Sequence, residues 1–295
     1  MSTTKKGVFA LIILAGVFAT MGVFARYLDQ NLQLFEQTYL RIFLALIIGI
    51  ILFYSKIEFN KFLQLPKTDL FVLILRSICL YLAVILVTKA FLIEKFSNVS
   101  FIAAIPILPL IGYFLLKEKI SKQIFLYILF GFFGVALISF QNFDSFTLGL
   151  GALLALLSAL FFDISYIARK YHSNYLNNYE STVFMFFIGF IFLFISSILA
   201  GESLPSISNF NLNILFVLSI AGIFNVINLY LTNYGFEHVK VSIAGNLLTL
   251  EVFFALGYGL LLYGEILTFI EVIGSAIILV SVYLVNFEEN RTSKS

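Results

Sequence analysis

Six charged residues interrupt long apolar runs: Arg41, Arg76, Lys89, Asp163, Glu251 and Glu271. A charge in mid-membrane costs about 2.5–3.5 kcal/mol on insertion scales, so such residues face a bundle interior or water, and mark binding sites or ion pairs. Glu251 carries the most chemistry. It stands near the middle of the apolar segment 241–262, with Tyr258 on its face at i+7. A carboxylate there binds a substrate amine, carries a coupling proton, or forms a fixed salt bridge with Arg41. Arg41 lies near one end of segment 35–54. It can clamp a substrate carboxylate through two parallel hydrogen bonds, or snorkel to lipid headgroups. Asp163 shares a face with Tyr166 and is placed to meet substrate or to pair with a basic residue such as Arg76. Lys89 and Glu271 lie towards the same end of their runs, where they can pair with each other or line a vestibule.

Neutral polar residues add to this set. Asn225, Asn228 and Thr232 fall at i, i+3 and i+7 and so share one helical face. Amides are unfavourable in lipid, so the stripe faces inward, as a pore lining or as hydrogen-bonding glue between helices. Pro106 and Pro109 interrupt segment 97–116, and Gly257 and Gly259 interrupt segment 241–262. Proline removes a backbone donor and kinks a helix, and glycine loosens one. These four positions are the expected hinge or gating points.

The elements that hold these residues are set by composition. The chain has 295 residues, 61% hydrophobic and 12% charged, with a mean hydropathy of +1.04. A soluble domain carries about 25% charged residues, and a globular core cannot bury this much apolar surface. The solvent is therefore lipid. A spanning helix needs about 20 apolar residues. Ten segments qualify: 7–25, 35–54, 70–91, 97–116, 123–142, 147–168, 181–200, 212–234, 241–262 and 267–286. The runs are continuous rather than alternating, which excludes a membrane β-barrel. The first resembles a signal peptide but is long for one and lacks an obvious cleavage site, so it reads as a retained span.

The same composition excludes much. A net charge of +2 is too small to suggest nucleic acid, and one cysteine, Cys79, forms no intrachain disulfide. Two histidines and one cysteine speak against a metal site or a Cys/His nucleophile. There is no phosphate-binding G-x-x-x-x-G-K-[ST] loop, so ATP is not the expected energy source. No cofactor, metal or enzymatic activity is expected.

Orientation follows from the loops. With the N-terminus inside, 13 of the 18 lysines and arginines fall in inside loops and tails, and two in outside loops. That bias places both termini in the cytoplasm. The stretch FLLKEKIS (114–121) returns as LLLYGEILT (260–268), five spans later. Five is odd, so two sequential five-helix copies lie upside down to each other. The Glu118 turn then falls inside and the Glu265 turn outside, which explains why only the first is rich in lysine. The expected fold is all-α, with ten transmembrane helices in two inverted repeats, 1–143 and 144–295. Inverted repeats are a mark of secondary transporters, with the site near the midplane where the halves meet.

Three stretches carry a family resemblance: FEQTYLRIFLALIIGIILF (35–53), FIAAIPILPLIGYFLLKEKIS (101–121) and YGFEHVKVSIAGNLLTLEVFFALGYGLLLYGEILT (234–268). On these the chain resembles the EamA group of the drug/metabolite transporter superfamily. The family's early arginine of span 2 corresponds to Arg41. Its Glu-Pro and Gly-Glu pairs of span 9 correspond to Glu251 and to Gly264-Glu265, with Val252 in place of the proline. In the first half Lys117 replaces the glycine before Glu118. The resemblance implies ten helices, two inverted halves and movement of small metabolites across the inner (plasma) membrane.

The expected function is alternating-access transport of a small polar or zwitterionic metabolite, such as an amino acid or derivative. The expected partners are that substrate, a coupling proton and the lipid bilayer, in a monomer or homodimer. Two other readings fit the residues: a broad-specificity drug or cation exporter, and a non-transporting signalling or assembly protein.

Overall fold

A computed structural model describes residues 3–105, 107, 111, 121–139, 149–169, 175–206, 210–239, 244 and 247–292. All regular structure among the described residues is helical. In chain order the helices are α1 (Thr3–Leu28), α2 (Leu34–Phe53), the short α3 (Asn60–Leu63), α4 (Lys67–Ile93), α5 (Phe96–Ala103) and α6 (Lys122–Ser139). They continue as α7 (Leu150–Ala168), α8 (Asn178–Leu199), α9 (Leu212–His238), α10 (Glu251–Tyr263) and α11 (Phe269–Thr292).

Six of these, α1, α2, α4, α7, α8 and α9, are long and apolar enough to cross a membrane, and α6, α10 and α11 carry shorter apolar stretches. Their outer surfaces display large apolar side chains such as Ile51, Phe71, Phe216 and Leu261. An aqueous surface does not tolerate a coat of that kind, and a bilayer requires it.

Segments 97–116 and 241–262 do not form single unbroken helices. The helix α5 ends at Ala103, and Ile105 and Ile107 bond only two or three residues back. The helix α10 begins at Glu251, after a turn in which Leu250, Val252 and Phe253 each bond three residues back. The spacing between Glu118 and Glu265 carries Ala104 onto Glu251, so the two irregularities fall at corresponding places. Gly257 and Gly259 lie inside continuous α10. Pro106, Pro109 and the Glu118 turn lie outside the described residues.

The helix pairings survive exchange of the first half for the second. The extensive contacts α4–α7 and α1–α9 are counterparts, as are α4–α8 and α2–α9, and α5–α7 and α1–α10. The pairs α2–α8 and α6–α11 each join a helix to its own counterpart. Their directions can be read from polar contacts. At one end of α2, Glu202, just beyond α8, accepts the Phe35 and Glu36 amides at 3.0 and 2.9 Å. At the other end, Glu180 in the first turn of α8 accepts the Glu58 amide at 3.1 Å. Each helix start therefore lies beside the other's finish, and the two run antiparallel. In α6–α11 the closest approach is at Gly134 and Gly274. A methyl group on Gly134 would stand 2.7 Å from the Gly274 carbonyl oxygen, so only glycine lets these helices meet so closely.

Candidate functional site

Between α1, α2, α4, α7, α8 and α9 lies a cavity of about 50 Å³. Its walls are largely apolar, with Phe18, Phe91, Phe162 and Phe186 among them. The predicted polar stripe faces it: Asn225, Asn228 and Thr232 all line the cavity from α9. Arg41 enters from α2, 3% exposed, its Nε donating to the Gln37 carbonyl one turn back at 3.3 Å. Among the described residues no carboxylate forms an ion pair with Arg41, so neither the Glu251 bridge nor an escape to headgroups describes it.

Three further polar residues reach the cavity that sequence reasoning passed over: Thr38, Tyr81 and Thr88. Hydropathy flags charges and amides in an apolar run, and isolated Tyr and Thr raise no such signal. Tyr81 is held by the smallest possible neighbour, since a methyl group on Gly189 would fall 1.9 Å from its ring. Its hydroxyl is buried and has no hydrogen-bond partner among the described residues.

Asp163 and Glu251 are both half-buried, on α7 and at the start of α10. Both lie within electrostatic reach of the Tyr166 hydroxyl, and Tyr166 itself lines the cavity. Neither carboxylate has a hydrogen bond or ion pair among the described residues. A helix N-terminus favours the negative charge of Glu251. Tyr258 is half-buried on α10 and packs against the main core. Arg76, where Asp163 was a possible partner, instead donates from Nη2 to Asn233 Oδ1 at 2.7 Å and from Nε to the Ser165 carbonyl at 3.3 Å. Asn233 in turn donates to Thr182 Oγ1 at 3.0 Å. This buried relay ties α4, α7, α8 and α9 together beside the cavity.

The far end of the bundle, where α1 finishes, is closed by a second polar cluster. The Glu265 carboxylate accepts the amides of Phe96 and Ser97 at 2.8 and 3.2 Å, capping the start of α5 from the turn after α10. Arg26 meets it, and also donates to the carbonyls of Phe91 and Glu94 at 2.7 Å each. Gly264 makes this possible: its φ of +61° is open to glycine at little cost and turns the Glu265 side chain back onto α5. Burial alone would raise the Glu265 pKa, but the Phe96 amide, Arg26 and the Ser97 amide outweigh it and hold the group below its ordinary value. Alongside, Lys95 Nζ and Asn98 Nδ2 each donate to Glu271 at 2.8 Å. Lys89, the expected partner of Glu271, points out of the bundle and stands near Asp29.

Comparison with known proteins agrees with this architecture. A solved crystal structure, 16% identical, matches with a TM-score of 0.66 over 96% of this chain and 97% of its own. That likeness concerns the fold alone. No curated protein matches at a significant level. The sequence profile of the EamA-like transporter family matches twice, over residues 5–140 and 149–287. Between them the two matches take in nearly every described helix, and they part where α6 gives way to α7. The chain therefore belongs to the EamA-like transporter family, part of the drug/metabolite transporter superfamily.

Proposed function

We propose that the protein is a secondary transporter with ten spans in two inverted five-helix halves. The halves rock about the central cavity and carry a small polar or zwitterionic metabolite, an amino acid or derivative, across the inner membrane. The observation that carries this reading is the cavity's position. It lies between helices that are counterparts across the two halves, and the interrupted segments of both halves pack against two of those helices, α7 and α1. Interruptions at corresponding positions of two inverted halves are the best sequence pointer to a transporter's site. The loop lysines support a cytoplasmic placement of both termini. The Asp163–Glu251 pair, next to a cavity-lining tyrosine and without an ion-paired cation among the described residues, supports proton coupling.

The test is uptake of a pooled metabolite mixture into proteoliposomes, read by mass spectrometry with and without a proton gradient. Accumulation of one compound with the gradient is expected. Folded protein that moves nothing would end the reading. The same two carboxylates support a second reading, a broad-specificity cation exporter, for which efflux of cationic dyes is the corresponding measurement.

A further inference from the structure

The charge of the cavity lining narrows the substrate. Among the described residues that line it, Arg41 is the only one with a charge, and none is a carboxylate. Asp163 and Glu251 lie within electrostatic reach of Tyr166 but are not among the residues of the wall. A buried guanidinium with no counter-ion is costly in an apolar bundle, and its free N–H groups call for an anion.

Hydrogen-bond capacity points the same way. The Tyr81 hydroxyl, on a residue 1% exposed, has no partner among the described residues. The Asn228 side chain makes no hydrogen bond among the described residues. By contrast, two of the lining threonines already spend their hydroxyl protons on their own helices: Thr38 on the Leu34 carbonyl at 2.7 Å and Thr232 on the Asn228 carbonyl at 2.8 Å. One N–H of the Asn225 amide is likewise spent on the Ala221 carbonyl at 2.7 Å. Among the described residues, the lining donors without an acceptor thus include the Arg41 Nη groups on α2, Tyr81 and Thr88 on α4, Tyr166 on α7 and Asn228 on α9. Buried polar groups in folded proteins are nearly always paired. Donors on four helices around one cavity, without an acceptor among the described residues, describe a site whose acceptor arrives with the ligand.

We infer that the cavity binds an organic monocarboxylate with an apolar body. Its carboxylate docks on Arg41 and Tyr81, and its hydrocarbon part lies along the phenylalanine walls. This deepens the transporter reading and rests on it for the claim that the bound molecule is carried across. An α-amino group meets only neutral oxygens such as Asn225 Oδ1, with no carboxylate to demand it. The site therefore selects for the acid and not for the amine. An amino acid and its 2-oxo acid bind alike, and the amine that lacks the carboxylate does not bind.

The experiment is calorimetric titration of the purified full chain in detergent with two matched series. These are phenylalanine, phenylpyruvate and 2-phenylethylamine, and leucine, 4-methyl-2-oxopentanoate and 3-methylbutylamine. Both acids of at least one series are expected to bind, and neither amine. Arg41→Gln is expected to weaken the acids by about tenfold or more, the loss of a charge-assisted pair. Arg41→Lys keeps the charge and so guards against a folding failure. It should restore part of that loss, since a lysine cannot supply the two-pronged contact. Tyr81→Phe should weaken the acids severalfold with the fold intact. Amines that bind as tightly as acids, acids that do not bind at all, or affinities unchanged in both Arg41 variants would each overturn the inference. Acid binding without any transport in liposomes would sink the transporter reading and leave the site. Amine transport without acid binding would do the reverse.

Discussion

Arg26 and Glu265, 239 residues apart, meet at 2.8 Å, and each also holds backbone at the junction of α4 and α5. The guanidinium stacks on the Tyr263 ring as well, 4.4 Å from its centre. One carboxylate thus fastens the end of α1, the end of α4, the start of α5 and the turn after α10. In the alternating-access cycle proposed above this far end would open, and the Glu265 cluster would have to break.

Neutralising Glu265 should therefore loosen that end. Hydrogen bonds to a charged group contribute about 1.5–3 kcal/mol each, and Glu265→Gln weakens several at once. In a chain whose Cys79 has been replaced by Ala, a cysteine placed at Ser97 should react faster with a membrane-impermeant maleimide when Glu265 is Gln. Arg26→Gln should have a similar effect, and the two together should add less than their sum, because they break the same contact. An additive double variant would show that the pair is not the latch.

The acid limit of the cluster follows from the depressed pKa of Glu265. A carboxylate held below its unfolded value contributes stability above that value and loses it as the pH falls through the folded one. Ordinary glutamates titrate near about 4.3, so the latch should hold unchanged from neutral pH down to about 5. Labelling at position 97, divided at each pH by the rate for the same cysteine in the denatured chain to remove the thiol's own ionisation, should accordingly be flat across that window and rise only at lower pH. A step in that ratio between pH 5 and 8 would mean that another group controls this end.

Coupling should depend on Asp163 and Glu251. With either made neutral, as Asp163→Asn or Glu251→Gln, gradient-driven accumulation should fall to the level set by simple equilibration. Exchange of labelled for unlabelled substrate should continue. Accumulation at the wild-type level in both variants would remove the carboxylate pair from the mechanism.

The contact between Gly189 and Tyr81 gives a packing prediction. Gly189→Ala places a methyl group inside the ring position and must displace it, at a cost of about 1–3 kcal/mol for an overpacked core. The variant should melt at a lower temperature and bind the substrate more weakly than wild type. Unchanged binding would show that Tyr81 can move without consequence for the cavity.

Where each helix starts along the chain was legible in the sequence, and direction around each helix axis mostly was not. Apolar run length sets where a helix starts and stops, and α2, α7 and α9 begin within three residues of their expected positions. The breaks at Ala104 and Thr249 were placed less well, because Ala-Ile and Leu-Thr-Leu average into an apolar window that hides a turn. Lys89 shows the same limit. It was placed at the same end of its run as Glu271, but its face of α4 turns outward, and Lys95 takes the pairing. The Asn225–Asn228–Thr232 stripe could be placed because three polar residues on one helical face define a direction as well as a depth. Tyr81 could not, being one ring among many.

The helix pairings bear on how the protein is made. Its most extensive interfaces, α6–α11, α4–α7, α1–α9 and α2–α8, all join residues of the first family match to residues of the second. Contacts among α1, α2, α4 and α5 alone are sparse by comparison. A ribosome that has delivered only the first part has inserted helices that still lack their principal neighbours. Assembly must wait for the rest of the chain, and two separately synthesised fragments, severed between α6 and α7, would have every reason to find each other in the bilayer.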